Sequence, residues 1–163
     1  MNLRKLELRD ASLMLAWMHD KNVTNNLRTD FASKTICDVE NFIKCSWEDK
    51  NNLNLAIVSD EDEYMGTVSL KHIEDGSAEF AITVRTEAMG RGYSWFGMES
   101  ILQKAFDELK LESVYWCVSR DNNRAVRFYD KHNFHEALDI PHKVLRRYEG
   151  VDNLKWYSVL KGD

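Results

Sequence analysis

The stretch Thr83 to Lys110, TVRTEAMGRGYSWFGMESILQKAFDELK, restricts the fold more than any other part of the chain. From Met98 the apolar residues fall at Met98, Ile101, Leu102, Ala105, Phe106 and Leu109, the spacing of a helix with one buried face. Before it, Ala78, Phe80, Ile82 and Val84 alternate with Glu79, Ala81 and Thr83, which describes a strand with two different faces. Between them lie Met89, Gly90, Arg91, Gly92, Tyr93 and Ser94, where two glycines let the backbone turn sharply and approach a ligand closely. Free N–H groups and the dipole at a helix N-terminus favour phosphate or pyrophosphate. A helix also begins after a glycine turn with nothing bound, so the turn alone leaves both readings open. Two nucleotide motifs fail here. A P-loop needs Gly-Lys-Ser/Thr where Gly92 is followed by Tyr93 and Ser94, and the dinucleotide fingerprint needs a glycine where Trp95 stands.

With 163 residues, 44% hydrophobic and 30% charged, the chain is long enough for one domain, residues 1–163, with a real core. No apolar run reaches membrane-spanning length and MNLRKLELRD lacks a signal-peptide core, so a cytoplasmic location off the membrane is expected. Cys37, Cys45 and Cys117 form an odd set without CxxC spacing, which points to buried free thiols. A net charge of −5 argues against general nucleic-acid binding and leans toward a cationic or neutral substrate.

Taken in order, Leu3–Leu8 is expected to be a strand, and Asp10 to cap a helix running to about His19. Residues 22–30 read as a loop. Ser33 or Thr35 then caps a helix bearing Ile36, Val39, Ile43 and Trp47, with Thr35 and Asp38 resembling a capping box. Strands follow at Leu53–Val58 and at Tyr64–Ile73, with a bulge at Gly66, before the Ala78 strand. Beyond the long helix, Ser113–Val118 is apolar on both faces and therefore central, parallel to the strand before the helix. Asp121 or Asn122 caps a short helix with Ala125, Phe128, Tyr129 and His132 at helical spacing. Asn133 ends it, Phe134–Ile140 forms a further strand, and Leu154–Leu160 the last.

This pattern resembles the GNAT superfamily of acetyl-CoA-dependent N-acetyltransferases over essentially the whole length. The family's pyrophosphate turn, Gln/Arg-x-x-Gly-x-Gly/Ala, lies over Met89–Ser94, with Gly92 at the central glycine and departures at Met89 and Ser94. Its second block, Asn-x-x-Ala-x-x-x-Tyr-x-x-x-Gly-Phe, is met by Asn122, Ala125, Tyr129 and Phe134, with Asn133 for the glycine. The N-terminal segment and the AEFAITV strand are most similar to the branch holding ribosomal-protein N-terminal, polyamine and nucleotide-amino-sugar acetyltransferases.

The resemblance implies a three-layer α/β fold, with a mixed, mainly antiparallel sheet of about seven strands and helices on both faces. It implies acetyl-CoA as cosubstrate and a primary amine, of a small molecule or a protein N-terminus, as acceptor in a ternary complex. The cofactor's pyrophosphate would lie on the N–H groups of Gly90, Arg91, Gly92, Tyr93 and Ser94, beside Met89. Its pantetheine arm would follow the edge at Ile82, Thr83 and Val84, where the fourth and fifth strands of the family splay apart, with Asn122, Ala125 and Phe128 alongside. Tyr129 is the candidate acid for the leaving thiolate, against a core tyrosine on the Ala125–Phe128 stripe. Glu79 is the candidate base or ammonium anchor, against a solvated strand glutamate. Trp17, His19 and Asn22 are candidate substrate-binding residues, with Trp17 also read as core. His132 and His135 straddle a helix end and make no metal site, so no metal is expected. A competing class is a non-catalytic CoA-binding sensor or scaffold of the same fold. Family members often form homodimers, but nothing in the sequence requires one.

Overall fold

Side chains that alternate along the strands decide which helices cover which face of the sheet. In the computed structural model, which describes residues 1–163, Leu55, Ile57, Val68, Leu70, Phe80, Val114, Trp116 and Tyr157 share one apolar cluster with Met98, Ile101, Ala105 and Tyr129. Their neighbours Ala56, Val58 and Tyr64 instead join Met14, Trp17, Met18, Val39 and Ile43, while Tyr115 and Trp156 join Ile140 and Val144. Two faces, each apolar, force two helical layers around one sheet.

The elements run β1 (Asn2–Lys5), α1 (Ala11–Met18), α2 (Lys21–Thr24), α3 (Ile36–Ser46), β2 (Leu53–Val58), β3 (Tyr64–Glu74), β4 (Ser77–Val84), α4 (Tyr93–Gln103), β5 (Ser113–Ser119), α5 (Asn123–Lys131), α6 (His142–Arg146) and β6 (Leu154–Leu160). A π-helical turn, Lys104–Glu108, extends α4. The six strands lie in the order β1-β2-β3-β4-β5-β6, all antiparallel except the β4–β5 pair. Helices α4 and α5 cover one face; α1, α3 and α6 cover the other.

Several expectations are corrected. The sheet has six strands, because Phe134–Ile140 makes only one backbone bond to β6, Ala137 N–H to Trp156 C=O at 2.8 Å. Phe134 packs in the α4–α5 layer and Ile140 in the opposite cluster, so the segment crosses from one face to the other around the sheet edge, leaving Leu138 91% exposed. The loop expected at 22–30 begins inside a short helix, α2, capped by the Asp20 carboxylate accepting from Asn22 N–H. Asp10 precedes α1 without capping it. Its buried carboxylate instead binds the Arg4 guanidinium at 2.8 and 2.9 Å and the Glu7 N–H at 2.8 Å. The Thr35–Asp38 capping box is present. All three thiols are free, but Cys37 and Cys45 are exposed and Cys117 is half-buried. No helix is long and apolar enough to cross a membrane.

The bulge falls at Met65, where the β2–β3 register passes from Ile57↔Gly66 to Val58↔Tyr64. Gly66 itself is needed for space: a Cβ there would lie 2.5 Å from the Thr83 carbonyl oxygen and 2.9 Å from Val84 Cα. Because that neighbour is backbone, it cannot rotate away. Gly66→Ala is expected to cost about 2 kcal/mol, the range of overpacking in a filled core, read as a lower urea midpoint with unchanged m-value. An unchanged midpoint would mean that β4 shifts freely.

Candidate active site

β4 and β5 are hydrogen-bonded over only three residue pairs, Ser77↔Ser113, Ala78↔Val114 and Glu79↔Tyr115. Beyond Glu79 the strands part, although β4 runs on to Val84 and β5 to Ser119. The facing edges in the gap therefore lack ladder partners, and unpaired backbone N–H and C=O groups inside a sheet demand another acceptor and donor. Ile82, Thr83 and Val84 lie on this free half of β4. The meander that places β4 on one side and the α4 crossover that places β5 on the other build the gap.

At its end stands the glycine turn. Gly90 and Gly92 have φ of +72° and +88°, the left-handed region that suits glycine. Gly92 is the N-cap of α4 and supplies no side-chain cap; the first helical bond runs from Phe96 N–H to Gly92 C=O at 3.0 Å. The N–H groups of Tyr93, Ser94 and Trp95 come before it and have no acceptor in the helix. The Tyr93 ring is buried in the core, so Tyr93 reaches this site through its backbone alone. Arg91 donates to the Glu87 carbonyl at 3.1 Å and lies over the Tyr93 ring.

Helix α5 flanks the gap from the other side. The Asn122 side chain caps it, accepting from Ala125 N–H at 3.2 Å, and Ala125 and Phe128 pack against the core. Tyr129 is 5% exposed, with its ring 5.4 Å from Trp116 and 4.9 Å from Tyr157. Burial pushes its phenol above the ordinary value, and no hydrogen bond to another protein group contributes. The hydroxyl therefore stays protonated, on a ring packed against Trp116, the first residue of β5 beyond its pairing with β4.

Across β4 opens a cavity of about 340 Å³ between α1, α3 and the strands. Ala81, Ile82 and Thr83 of β4 form part of its wall, so the cavity adjoins the free half of β4. Trp17 is both core and wall: its Nε1–H donates to the buried Tyr64 hydroxyl at 3.0 Å, and its ring meets Phe31 edge-on at the cavity. His19 and Asn22 do not line it. His19 is exposed, its Nε2 2.9 Å from the Lys34 carbonyl oxygen. Asn22 faces the segment that leads into the glycine turn, with Nδ2 3.0 Å from Thr86 Oγ1. Glu79 is buried, and both of its oxygens are engaged: Arg147 Nη1 donates to Oε2 at 2.5 Å and the Tyr148 hydroxyl to Oε1 at 2.7 Å. Burial and this carboxylate push the Tyr148 phenol upward, so it keeps the proton that it donates. No group of three or more His, Cys, Asp or Glu side chains is placed to hold a metal ion.

Three residues absent from the sequence reading emerge. Arg147 and Tyr148 reach Glu79 from the end of α6, 68 and 69 positions away, with no local signal. Arg124 of α5 places Nη1 2.8 Å from Met89 Sδ and donates to the Asn22 carbonyl at 3.0 Å. It brings a cation to the position where the family turn has Gln or Arg and this chain has Met89; its proximity to Asn122 was the available signal.

A family model, "Acetyltransferase (GNAT) domain", matches residues 1–135. The chain belongs to the GNAT acetyltransferase family. Acetyltransferase PseH of Campylobacter jejuni is 23% identical over 152 residues, spanning 90% of this chain and 92% of that protein. The uncharacterised N-acetyltransferase p20 of Bacillus licheniformis is 25% identical over 154 residues, 91% of this chain and 84% of its own. Among solved structures, spermidine N-acetyltransferase from Vibrio cholerae in complex with CoA and spermine superposes with a TM-score of 0.80 at 22% identity, covering 98% of this chain and 94% of that one. A GNAT acetyltransferase from Bacillus anthracis gives 0.77 at 18% identity, covering 99% and 95%. These structural likenesses establish the GNAT fold for this acetyltransferase.

Proposed function

We propose that this acetyltransferase transfers the acetyl group of acetyl-CoA to a primary amine by direct attack within a ternary complex. The observation that carries this reading is the parting of β4 from β5 after Glu79, with an open helix N-terminus at one end, Tyr129 beside it and a cavity across β4. A phosphate-bearing thioester with a long amide arm fits those features: the helix end offers N–H donors, and the free strand edges offer ladder positions to amides.

In this reading acetyl-CoA supplies the activated acetyl thioester. The N–H groups of Tyr93, Ser94 and Trp95 hold the pyrophosphate, and Arg124 adds the positive charge that Met89 lacks. A backbone N–H on the free half of β4 stabilises the carbonyl oxygen as negative charge builds on it. The amine nitrogen enters from the cavity, the C–N bond forms and the C–S bond breaks. Tyr129 gives its proton to the departing sulfur, and the proton lost by the nitrogen passes through water toward the Glu79 carboxylate.

Calorimetric titration with acetyl-CoA, alongside thermal melting, tests the cofactor assignment. A dissociation constant near micromolar, about −8 kcal/mol, and a melting temperature that rises with cofactor are expected. No heat at millimolar cofactor would remove acetyl-CoA from the reading.

A further inference from the structure

The charge of the acceptor cavity runs opposite to that of the whole chain. Although the net charge is −5, the walls carry Lys34 and Lys71 as cations and Asp38 as their only carboxylate. Asp38 is already committed, since its Oδ2 accepts from the Thr35 N–H at 2.8 Å and the Thr35 hydroxyl at 3.0 Å, and Lys34 helps to hold its carboxyl below the ordinary range. Glu79, opposite Lys71 across the β3–β4 register, is neutralised by Arg147 and bonded by Tyr148. Arg28, the residue before the wall residue Thr29, adds a further cation, its guanidinium carbon 4.6 Å from the centre of the Tyr148 ring whose hydroxyl binds Glu79. Neither Lys71 nor Arg28 has a carboxylate within ion-pair distance, whereas Arg4, Arg9, Arg85, Arg120, Lys143 and Arg147 all do. Partial desolvation pushes Lys71 below the ordinary lysine value, against the pull of Glu79 and with a further push from Arg28. These two unpaired cations therefore repel one another, and of the two Lys71 lies in the cavity wall.

We propose that the acceptor is a primary amine whose molecule also carries an anionic group, such as a phosphate, which Lys71 and Arg28 hold at the mouth of the cavity while the nitrogen reaches the free half of β4. This assignment rests on the acetyltransferase reading above and narrows its substrate. A polycation would meet two unpaired positive charges and no free carboxylate, an arrangement that repels it. An anion would be paired on arrival, and a small aromatic-walled cavity with a cationic mouth accommodates a compact polar body such as an aminated sugar. The same positive field favours the neutral form of an incoming amine over its ammonium form, and only the neutral form can attack. Nucleophile activation and substrate selection thus share one cause.

The test uses three probes with the acetyl-CoA-loaded protein: glucosamine, glucosamine 6-phosphate and spermidine. The two sugars differ by the anion alone. Both calorimetric affinity and kcat/KM are measured for the wild type, Lys71→Met and Arg28→Met. The phosphorylated sugar is expected to exceed glucosamine by ~10-fold or more, the scale of one charge-assisted hydrogen bond, with spermidine the poorest of the three. In each variant the ratio between the two sugars should fall toward one. Arg28 is exposed on a loop, so its removal keeps the test valid should Lys71→Met fold poorly. Stronger binding of spermidine, equal binding of the two sugars, or a ratio that ignores both substitutions overturns the acceptor assignment while leaving acetyl-CoA binding intact. Failure to bind acetyl-CoA itself would instead overturn the acetyltransferase reading.

Discussion

Tyr129→Phe is expected to lower kcat by about 10²- to 10³-fold, the usual contribution of a positioned general acid, with acetyl-CoA affinity almost unchanged. The substitution removes one oxygen from a ring that is packed on Trp116, Phe128, Phe134 and Tyr157. Since no protein hydrogen bond to that oxygen contributes to its environment, the fold loses no internal partner, and the melting temperature should hold. A core tyrosine with no chemical role would show the reverse, a small shift in stability and full turnover. The direction of the pKa shift adds a second check. Burial disfavours the phenolate, so Tyr129 stays protonated past its ordinary value of 10.0. The acid form is therefore present throughout the neutral range, and an alkaline fall in rate with a midpoint below 10 must come from another group. Full activity of Tyr129→Phe at neutral pH would take the acid role from this residue.

Gly92→Val should weaken acetyl-CoA binding by about 30- to 100-fold, equivalent to the loss of one or two charge-assisted hydrogen bonds. Gly92 sits at φ +88° as the N-cap of α4, where a β-branched residue is strained and would tilt the N–H groups that follow. A Cβ there would meet only Met1 Cε, at 3.7 Å, so backbone strain rather than crowding carries the effect. Strain alone must be separated from loss of the anion site, and Gly150 offers the control. It has φ +79° and open space around it, so Gly150→Val carries a comparable backbone penalty away from the turn. The two variants are expected to lose similar stability, while only Gly92→Val loses cofactor affinity. Equal affinity in both would mean that the turn does not hold the pyrophosphate.

The features that were legible in sequence are those set by residues close to one another along the chain. The glycine turn and α4 follow from Gly90, Gly92 and the apolar period after Met98; the Thr35–Asp38 box follows from a three-residue spacing; and Asn122 caps α5 through a bond to Ala125. Backbone conformation and capping are local interactions, so the order of residues determines them. The Phe134–Ile140 segment shows where that reasoning fails. Its apolar residues fit a strand, yet Phe134 and Ile140 are drawn to opposite faces of the sheet, and packing overrides propensity.

What tertiary structure alone decided is the chemistry around β4. The family resemblance implies that β5 parts from β4, but the place where it does so, after Glu79↔Tyr115, is encoded by no pattern within β4. From sequence Glu79 stands between a base or ammonium anchor and a solvated strand residue, and its burial under Arg147 and Tyr148 comes from the far end of the chain, just as Arg124 meets Met89 across 35 positions. The sign of the cavity beside β4 depends in turn on which charges are paired. Composition counts every acid and base alike, whereas a site feels only those that the fold leaves without a partner, because paired charges cancel at short range.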